Sequence, residues 1–99
     1  MNENENTIQM NYFISQTPGH IVSDMDGEKV MLSIDKGKYF NLGVTGGAIW
    51  ELMATPVTVE AIVSGLIEQF EVEEKVCREQ VVVFLESLLN EGLIQLEQK

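Results

Sequence analysis

The stretch GKYFNLGVTGGAIWEL, residues 37–52, decides the fold because its periodicity changes partway along. The segment YFNL alternates, with Phe40 and Leu42 on one face, which predicts a short strand. After Leu42 the apolar residues recur at helical spacing, and Thr45 is a suitable N-cap for a helix that carries Trp50. A strand therefore leads into a helix through a glycine-rich turn.

This glycine-rich turn, GVTGG, has two conceivable roles. A phosphate cradle would need the Lys-Ser/Thr pair of a P-loop or the G-x-G-x-x-G pattern of a dinucleotide site, and the stretch has neither. A structural role is favoured instead. Gly43 can supply a positive φ after the strand, while Gly46 and Gly47 let the helix approach another backbone closely.

Two more strands are predicted upstream, HIVSDM at 20–25 and EKVMLSID at 28–35. They flank Asp26-Gly27, a dipeptide that is typical of tight hairpin turns. The second strand alternates cleanly and places three apolar residues on one face: Val30, Leu32 and Ile34. Its other face carries Lys29, Met31, Ser33 and Asp35. With YFNL, these strands predict a three-stranded antiparallel β-meander with one buried face.

Two further helices are predicted downstream of Pro56. Thr58 caps the first, and the second runs over residues 73–91 and ends before Gly92. This last helix has a core arc of Cys77, Val81, Phe84, Leu85 and Leu88. A neighbouring arc of Val76, Gln80, Val83 and Ser87 makes its apolar side wider than a surface helix needs. The predicted fold class is α+β and winged-helix-turn-helix-like, with the meander followed by three α-helices.

The domain organisation predicted from these patterns is a flexible N-terminal arm over residues 1–18 and one folded domain over residues 19–99. NYFI in the arm and LIQLE after Gly92 are candidate short strands, and either one could cover the edge of the meander. If neither does, the YFNL strand offers unpaired backbone groups to another strand.

Composition limits the function classes. The formal net charge is -10 at pH 7, which repels nucleic acid and anionic membranes and suits basic partners. No apolar run is long enough to span a bilayer, and the polar start MNENENTIQM does not resemble a signal peptide. The single cysteine, Cys77, agrees with a reducing compartment, so we expect a cytoplasmic protein.

Catalytic chemistry is not indicated by any motif. His20 is the only histidine, and pairing it with the distant Cys77 would make a weak metal site. Nothing places a base beside a nucleophile, and most carboxylates fall on predicted exposed faces. We therefore expect no cofactor, no metal and no enzymatic activity.

DNA binding is the usual role of a winged helix, but the charge of the last helix opposes it. Only Lys75 and Arg78 stand against Glu73, Glu74, Glu79, Glu86 and Glu91. Phosphate contacts dominate DNA affinity, so this helix is a poor reader of DNA. A winged-helix regulator and a self-associating module remain alternatives.

The ordered series after Gly37 resembles the PqqD-like family of peptide chaperones. It consists of YFNL, then TGGAIWEL at 45–52, TVEAIVSGLIEQF at 58–70 and VVVFLESLLNEGLI at 81–94. Among members of the family, the chain is most similar to the stand-alone leader-recognition proteins of lasso-peptide biosynthesis. The resemblance implies a non-enzymatic adaptor that binds the leader of a ribosomally made precursor peptide and delivers it to a leader peptidase or another modifying enzyme.

The resemblance also implies where the leader binds, as an added strand in a cleft between the third strand and the third helix. The strand wall would be Lys38, Tyr39, Phe40, Asn41 and Leu42. The helix wall would be Val76, Gln80, Val83, Phe84 and Ser87. A peptide chaperone for a radical-SAM enzyme of pyrroloquinoline-quinone-type synthesis is the alternative within the family. The expected partners are the precursor peptide and the enzyme that processes it, with no nucleic acid and no membrane. The protein is expected to be a monomer or a weak dimer.

Overall fold

Two small antiparallel sheets and three helices make up the fold, and the computed structural model describes them over residues 8–97. The strands are β1 Phe13–Gln16, β2 His20–Met25, β3 Glu28–Ser33, β4 Lys38–Leu42, β5 Val57–Thr58 and β6 Ile94–Glu97. The helices are α1 Gly43–Leu52, α2 Val59–Phe70 and α3 Glu74–Asn90. The sheet β2-β3-β4, followed by the helices, confirms the predicted fold class.

The meander turns where the sequence predicts. Its core face is the one that carries Met31, not the one that carries Val30, Leu32 and Ile34. Asp26 and Gly27 both have positive φ, as a type I′ hairpin turn requires. Val22, Met31 and Phe40 lie opposite one another, and Met31 is completely buried. The other face, which includes Leu32, is only partly covered. The alternation alone could not choose between the faces, because the choice depends on which side the helices cover.

Helix α1 begins earlier than predicted, so Thr45 is not its N-cap. Gly43 follows β4 directly with φ 74, and Leu42 occupies the N-cap position without a side-chain cap. The Asn41 side chain supplies the missing acceptor, since its Oδ1 accepts from the Gly43 N–H at 2.9 Å. The strand therefore runs into the helix with no intervening loop.

The ends of the other helices agree with the sequence. Thr58 Oγ1 accepts a hydrogen bond from the Ala61 N–H at 3.1 Å, which confirms it as the α2 N-cap. After α3, Gly92 has φ 78 and donates to the Leu89 carbonyl, while Leu93 donates to the Leu88 carbonyl. These two bonds form a Schellman motif, which ends the helix at the predicted glycine.

The segment before β2 differs from the predicted flexible arm. Strand β1 lies between β5 and β6 in the second sheet, and Ile8 and Ile14 are buried in the core. Gln16 Nε2 also donates to the Trp50 carbonyl at 2.8 Å, which ties β1 to α1. Residues 8–18 are therefore part of the folded domain because their apolar side chains complete its core. The rest of the predicted arm, residues 1–7, lies outside the described residues.

The paired glycines of α1 allow close contact with two side chains rather than with a backbone. A Cβ on Gly46 would lie 2.9 Å from the Phe84 ring of α3, and a Cβ on Gly47 would overlap the Lys29 stem. The Lys29 ammonium then reaches Glu51 at 2.8 Å, and this hydrogen bond is the main cause that raises the pKa of Lys29. The two glycines thus set α1 against α3 on one side and β3 on the other.

Candidate functional site

Strand β4 has one open edge. Over residues 8–97 it pairs with β3 on one side and with no strand on the other. The candidate covering strands, β1 and β6, pair with each other instead, so neither protects this edge. An open edge carries unpaired N–H and C=O groups that can accept another strand.

The open-edge backbone groups of β4 belong to Tyr39 and Asn41. Met25 and Glu28 close a two-residue hairpin turn and therefore form a hydrogen-bonded pair. Because hydrogen-bonding direction alternates along an antiparallel strand, Met31 faces β4 and bonds with Phe40. The residues on either side of Phe40 must then direct their N–H and C=O groups away from β3, toward the open edge.

Side chains of β4 divide between the two faces of the sheet. Phe40 and Leu42 pack against the core, and the Lys38 ammonium lies 5.8 Å from the centre of the Phe40 ring. Tyr39 is 74% exposed on the opposite face, and Asn41 points the same way to reach Glu28. Three of the five predicted strand residues therefore offer side chains toward the helices, and two offer their backbone.

Helix α3 supplies a facing wall that is separate from its core face. Its core residues are Cys77, Val81, Leu85 and Leu88. Of the predicted wall residues, Val83 is 66% exposed and Val76 is 42% exposed, while Phe84 is half-buried against the core. The other two, Gln80 and Ser87, are exposed. The wide apolar arc seen in the sequence is thus a core stripe plus an exposed surface stripe, which no other element of residues 8–97 covers.

Between β4 and α3 the structure leaves a gap. Their backbones stay apart along most of their lengths. At one end the gap is crossed by Glu91, the residue after α3, whose Oε1 lies 3.5 Å from Lys38 Nζ and 3.7 Å from Lys36 Nζ. At the other end the Phe84 ring rests on Gly46 of α1. We call this gap the β4–α3 cleft.

Two hollows meet at Phe84 and Gln80. One, of about 450 Å³, lies along α3 and is lined by Glu79, Gln80, Val83, Phe84 and Ser87. The other, of about 490 Å³, lies between α1, the end of α2 and the first half of α3. We call it the inter-helix hollow; it is lined by Leu42, Thr45, Gly46, Ile49, Leu66, Phe70, Val72, Val76, Cys77, Gln80, Val81 and Phe84.

The inter-helix hollow contains residues that the sequence did not single out for binding. Thr45 and Ile49 from α1, with Leu66 and Phe70 from α2, complete its lining. Their i, i+4 spacing was visible, but the same spacing is what any core-facing helix shows. Only the relative placement of three helices turns these core stripes into a hollow.

Reactive groups at the site are few. Cys77 lies at the hollow with its Sγ 4.0 Å from the Val63 carbonyl oxygen, and burial raises the pKa of its thiol. His20 is engaged elsewhere, with Nε2 2.8 Å from Thr17 Oγ1. Within residues 8–97, no three His, Cys, Asp or Glu side chains are grouped so as to hold a metal ion. The groups on offer are edge backbone and apolar side chains, which suit an extended peptide.

The chain matches a protein-family model. The family model described as coenzyme PQQ synthesis protein D (PqqD) matches residues 28–94, which include the meander from β3 onward, all three helices and both walls of the cleft. A search of curated proteins gave no match. None of the helices described is long and apolar enough to cross a membrane.

Solved structures with the same fold include two leader-peptide complexes. TbiB1 in complex with the TbiA(beta) leader peptide is 26% identical, with a TM-score of 0.75 over 82% of this chain and 94% of that one. Lasso peptide synthetase B1 complexed with the leader peptide is 21% identical, with a TM-score of 0.72 over 83% and 96%. The PqqD truncation of Methylobacterium extorquens PqqCD, a stand-alone RiPP recognition element, is 14% identical, with a TM-score of 0.77 over 93% and 98%.

Proposed function

The chain belongs to the PqqD family, and on that premise we propose that it is a non-catalytic adaptor that binds the leader of a ribosomally synthesised precursor peptide. The observation that carries the proposal is that, among residues 8–97, the β4 edge is open and lies beside an exposed apolar stripe of α3. The complex of TbiB1, which is 26% identical, with a leader peptide supports the choice of ligand. Delivery of the bound leader to a leader peptidase of a lasso-peptide pathway completes the proposed role, which we place in the cytoplasm.

Leader binding by strand addition uses the two parts of the cleft differently. Backbone bonds to Tyr39 and Asn41 give sequence-independent affinity, while side chains of alternate leader residues point toward α3 and give specificity. Apolar leader residues would cover Phe40, Val83 and Phe84. Because an unstructured leader is ordered on binding, we expect an affinity of about -8 to -10 kcal/mol, in the micromolar to submicromolar range.

The second role open to the family is that of a peptide chaperone for a radical-SAM enzyme. The PqqCD recognition element does not support this role for the present chain, because the likeness to it extends to the fold only. DNA binding is opposed by the charge of α3, where Arg78 is moreover paired with Glu74 at 2.8 Å. We therefore propose that the protein has no nucleic-acid or membrane partner. We also propose that it is a monomer or a weak dimer in solution.

Fluorescence anisotropy tests this proposal directly. A panel of labelled leaders from lasso-type and quinone-type precursors, including the TbiA(beta) leader, is titrated with the protein beside scrambled leaders and a labelled duplex DNA. We expect saturable binding of at least one leader and of none of the controls. Binding that is confined to DNA and weakens steeply with salt would move the function to a regulator.

Substitution of Gly46 by alanine should weaken leader binding without unfolding the protein. A Cβ on Gly46 would lie 2.9 Å from the Phe84 ring, so the ring must shift from its place where the two hollows meet, while alanine gains about 1 kcal/mol of helix propensity that offsets the lost contact. We expect about 5- to 10-fold weaker leader binding, measured by anisotropy, and unfolding free energy within about 1 kcal/mol of wild type.

Gly47→Ala is the matched control for this variant. It makes the same chemical change at the next position, but its Cβ meets Lys29 on the sheet side of α1, away from the cleft. Leader affinity should stay within about twofold of wild type, which is less than 0.5 kcal/mol. Equal losses in the two variants would mean that Phe84 does not line the leader site.

A further inference from the structure

The start of β4 carries a cationic spot on a strongly acidic protein. Lys36, in the turn before β4, and Lys38, the first residue of β4, share the carboxylate of Glu91. We propose that these three side chains, which we call the lysine cluster, form a specificity site for one Asp or Glu side chain of the peptide on β4. The inference rests on the proposed function and adds to it a charged determinant that the apolar stripe of α3 does not supply.

The lysine cluster differs in charge balance from the other ion pairs of residues 8–97. Lys29 is paired with two carboxylates, and Arg78 is paired with Glu74. In the cluster, by contrast, two ammonium groups share one carboxylate. On a chain with a formal net charge of -10, this is the ion-paired group of the described residues that attracts an anion.

The end of α3 accounts for part of this positive charge but not for all of it. The last turn of α3 contains no basic residue, and the helix dipole places roughly half a negative charge at a helix C-terminus. The dipole and Glu91 together therefore still leave about half a positive charge in the cluster. This remainder is available to a carboxylate from outside the protein.

Both lysines retain the donors and the exposure that a second carboxylate needs. Their Nζ atoms lie 3.7 Å and 3.5 Å from Glu91 Oε1, longer than the roughly 2.7–2.9 Å of a strong charge-assisted hydrogen bond. Each ammonium group has three N–H donors, so the contact with Glu91 leaves donors free for another acceptor. The side chains of Lys36 and Lys38 are 42% and 55% exposed, so a ligand can reach both of them.

A peptide strand added to β4 brings a side chain to the lysine cluster. Residues directly opposite each other on paired strands direct their side chains to the same face, with Cβ atoms about 4.5–5.5 Å apart. Lys38 and Phe40 share the face of β4 that meets the helices. The peptide residue opposite Lys38 therefore points to the cluster, and the one opposite Phe40 lies two residues away. The peptide class that fits has Asp or Glu two residues from an apolar residue.

A glutamate and lysine scan of a bound leader tests this site. Each residue of the leader that binds most tightly in the anisotropy panel is replaced in turn by Glu and by Lys, and both affinities are measured. The net charge of the protein favours Lys at most positions, whereas the lysine cluster favours Glu at one. We expect one position at which Glu gives about fivefold tighter binding than Lys. A scan in which no position prefers Glu would overturn the proposal.

Lys38→Glu should reverse the preference at that position, so that Lys in the leader binds more tightly than Glu. Lys36→Glu makes the same reversal from the turn if the first variant disturbs β4. Lys75→Glu is the matched control, because Lys75 is exposed on α3 and lines neither of the two hollows. The control should keep the preference for Glu. A preference that survives both Lys38→Glu and Lys36→Glu, or that the control removes equally, would contradict the assignment to the cluster.

Failure of this inference can be distinguished from failure of the proposed function. If a leader binds but no position prefers Glu, the lysines serve only the end of α3, and the adaptor function stands. If no leader of the panel binds, the adaptor function is wrong and the carboxylate site is wrong with it. The preference for Glu should also shrink at about 1 M salt, where the screening length is about 3 Å; a preference unchanged by salt would contradict an ionic contact.

Discussion

Tyr39→Pro is expected to abolish leader binding while the helical domain stays folded. The hairpin register directs the Tyr39 N–H to the open edge of β4, so proline removes a donor that a leader strand needs and not one that β3 uses. The proline ring also obstructs the approach of a partner strand. We expect at least 30-fold weaker binding, about 2 kcal/mol, from anisotropy titrations, and a far-UV circular dichroism spectrum close to wild type.

Tyr39→Ala is the control that isolates the backbone. The Tyr39 side chain is exposed on the face of the sheet that does not meet α3, so its removal leaves both the edge donor and the cleft in place. Affinity should fall by less than about threefold. Equal losses in the proline and alanine variants would show that the side chain, not the strand edge, binds the leader.

Ile14→Ala should cost the largest amount of stability of any change proposed for this chain. Ile14 lies in β1 with no exposed surface, and truncation of a buried isoleucine typically costs about 2–5 kcal/mol through lost transfer free energy and the cavity left behind. In a domain of this size, a loss of that order shifts the melting temperature by about 10 °C or more. Chemical denaturation monitored by Trp50 fluorescence measures the difference.

Ile34→Ala provides the matched exchange at an exposed site. Ile34 is 59% exposed in the turn after β3, so the same truncation should change stability by about 0.5 kcal/mol or less. If Ile14→Ala lowered the stability as little as Ile34→Ala, that result would contradict the placement of β1 in the core. Residues 8–18 would then return to the flexible arm that the sequence pattern suggested.

Local signals in the sequence were sufficient for most of the fold. The change from a two-residue to a helical period after Leu42, the Asp26-Gly27 turn and the Thr58 cap each act within a few residues, so each could be recognised without tertiary information. The excess apolar width of α3 likewise predicted that Val76 and Val83 are not core residues.

Features that depend on distant contacts were missed or misassigned. The Thr45 cap was misassigned for a local reason instead: the Asn41 Oδ1 accepts a hydrogen bond from the Gly43 N–H, two residues on, and the helix begins before Thr45. Strand β1 is short, and its partner β6 lies at the other end of the sequence, so no local pattern signals the pair. The inter-helix hollow arises from the spacing of three helices, and periodicity cannot distinguish its lining from closed core.

Amide hydrogen exchange at the β4 edge, with and without a saturating leader, tests strand addition most directly. The amides of Tyr39 and Asn41 should exchange more than about tenfold more slowly when the leader is bound, because each gains a hydrogen-bond partner. The Phe40 amide, already bonded to β3, should change little. Saturable leader binding with unchanged exchange at Tyr39 and Asn41 would contradict strand addition at β4.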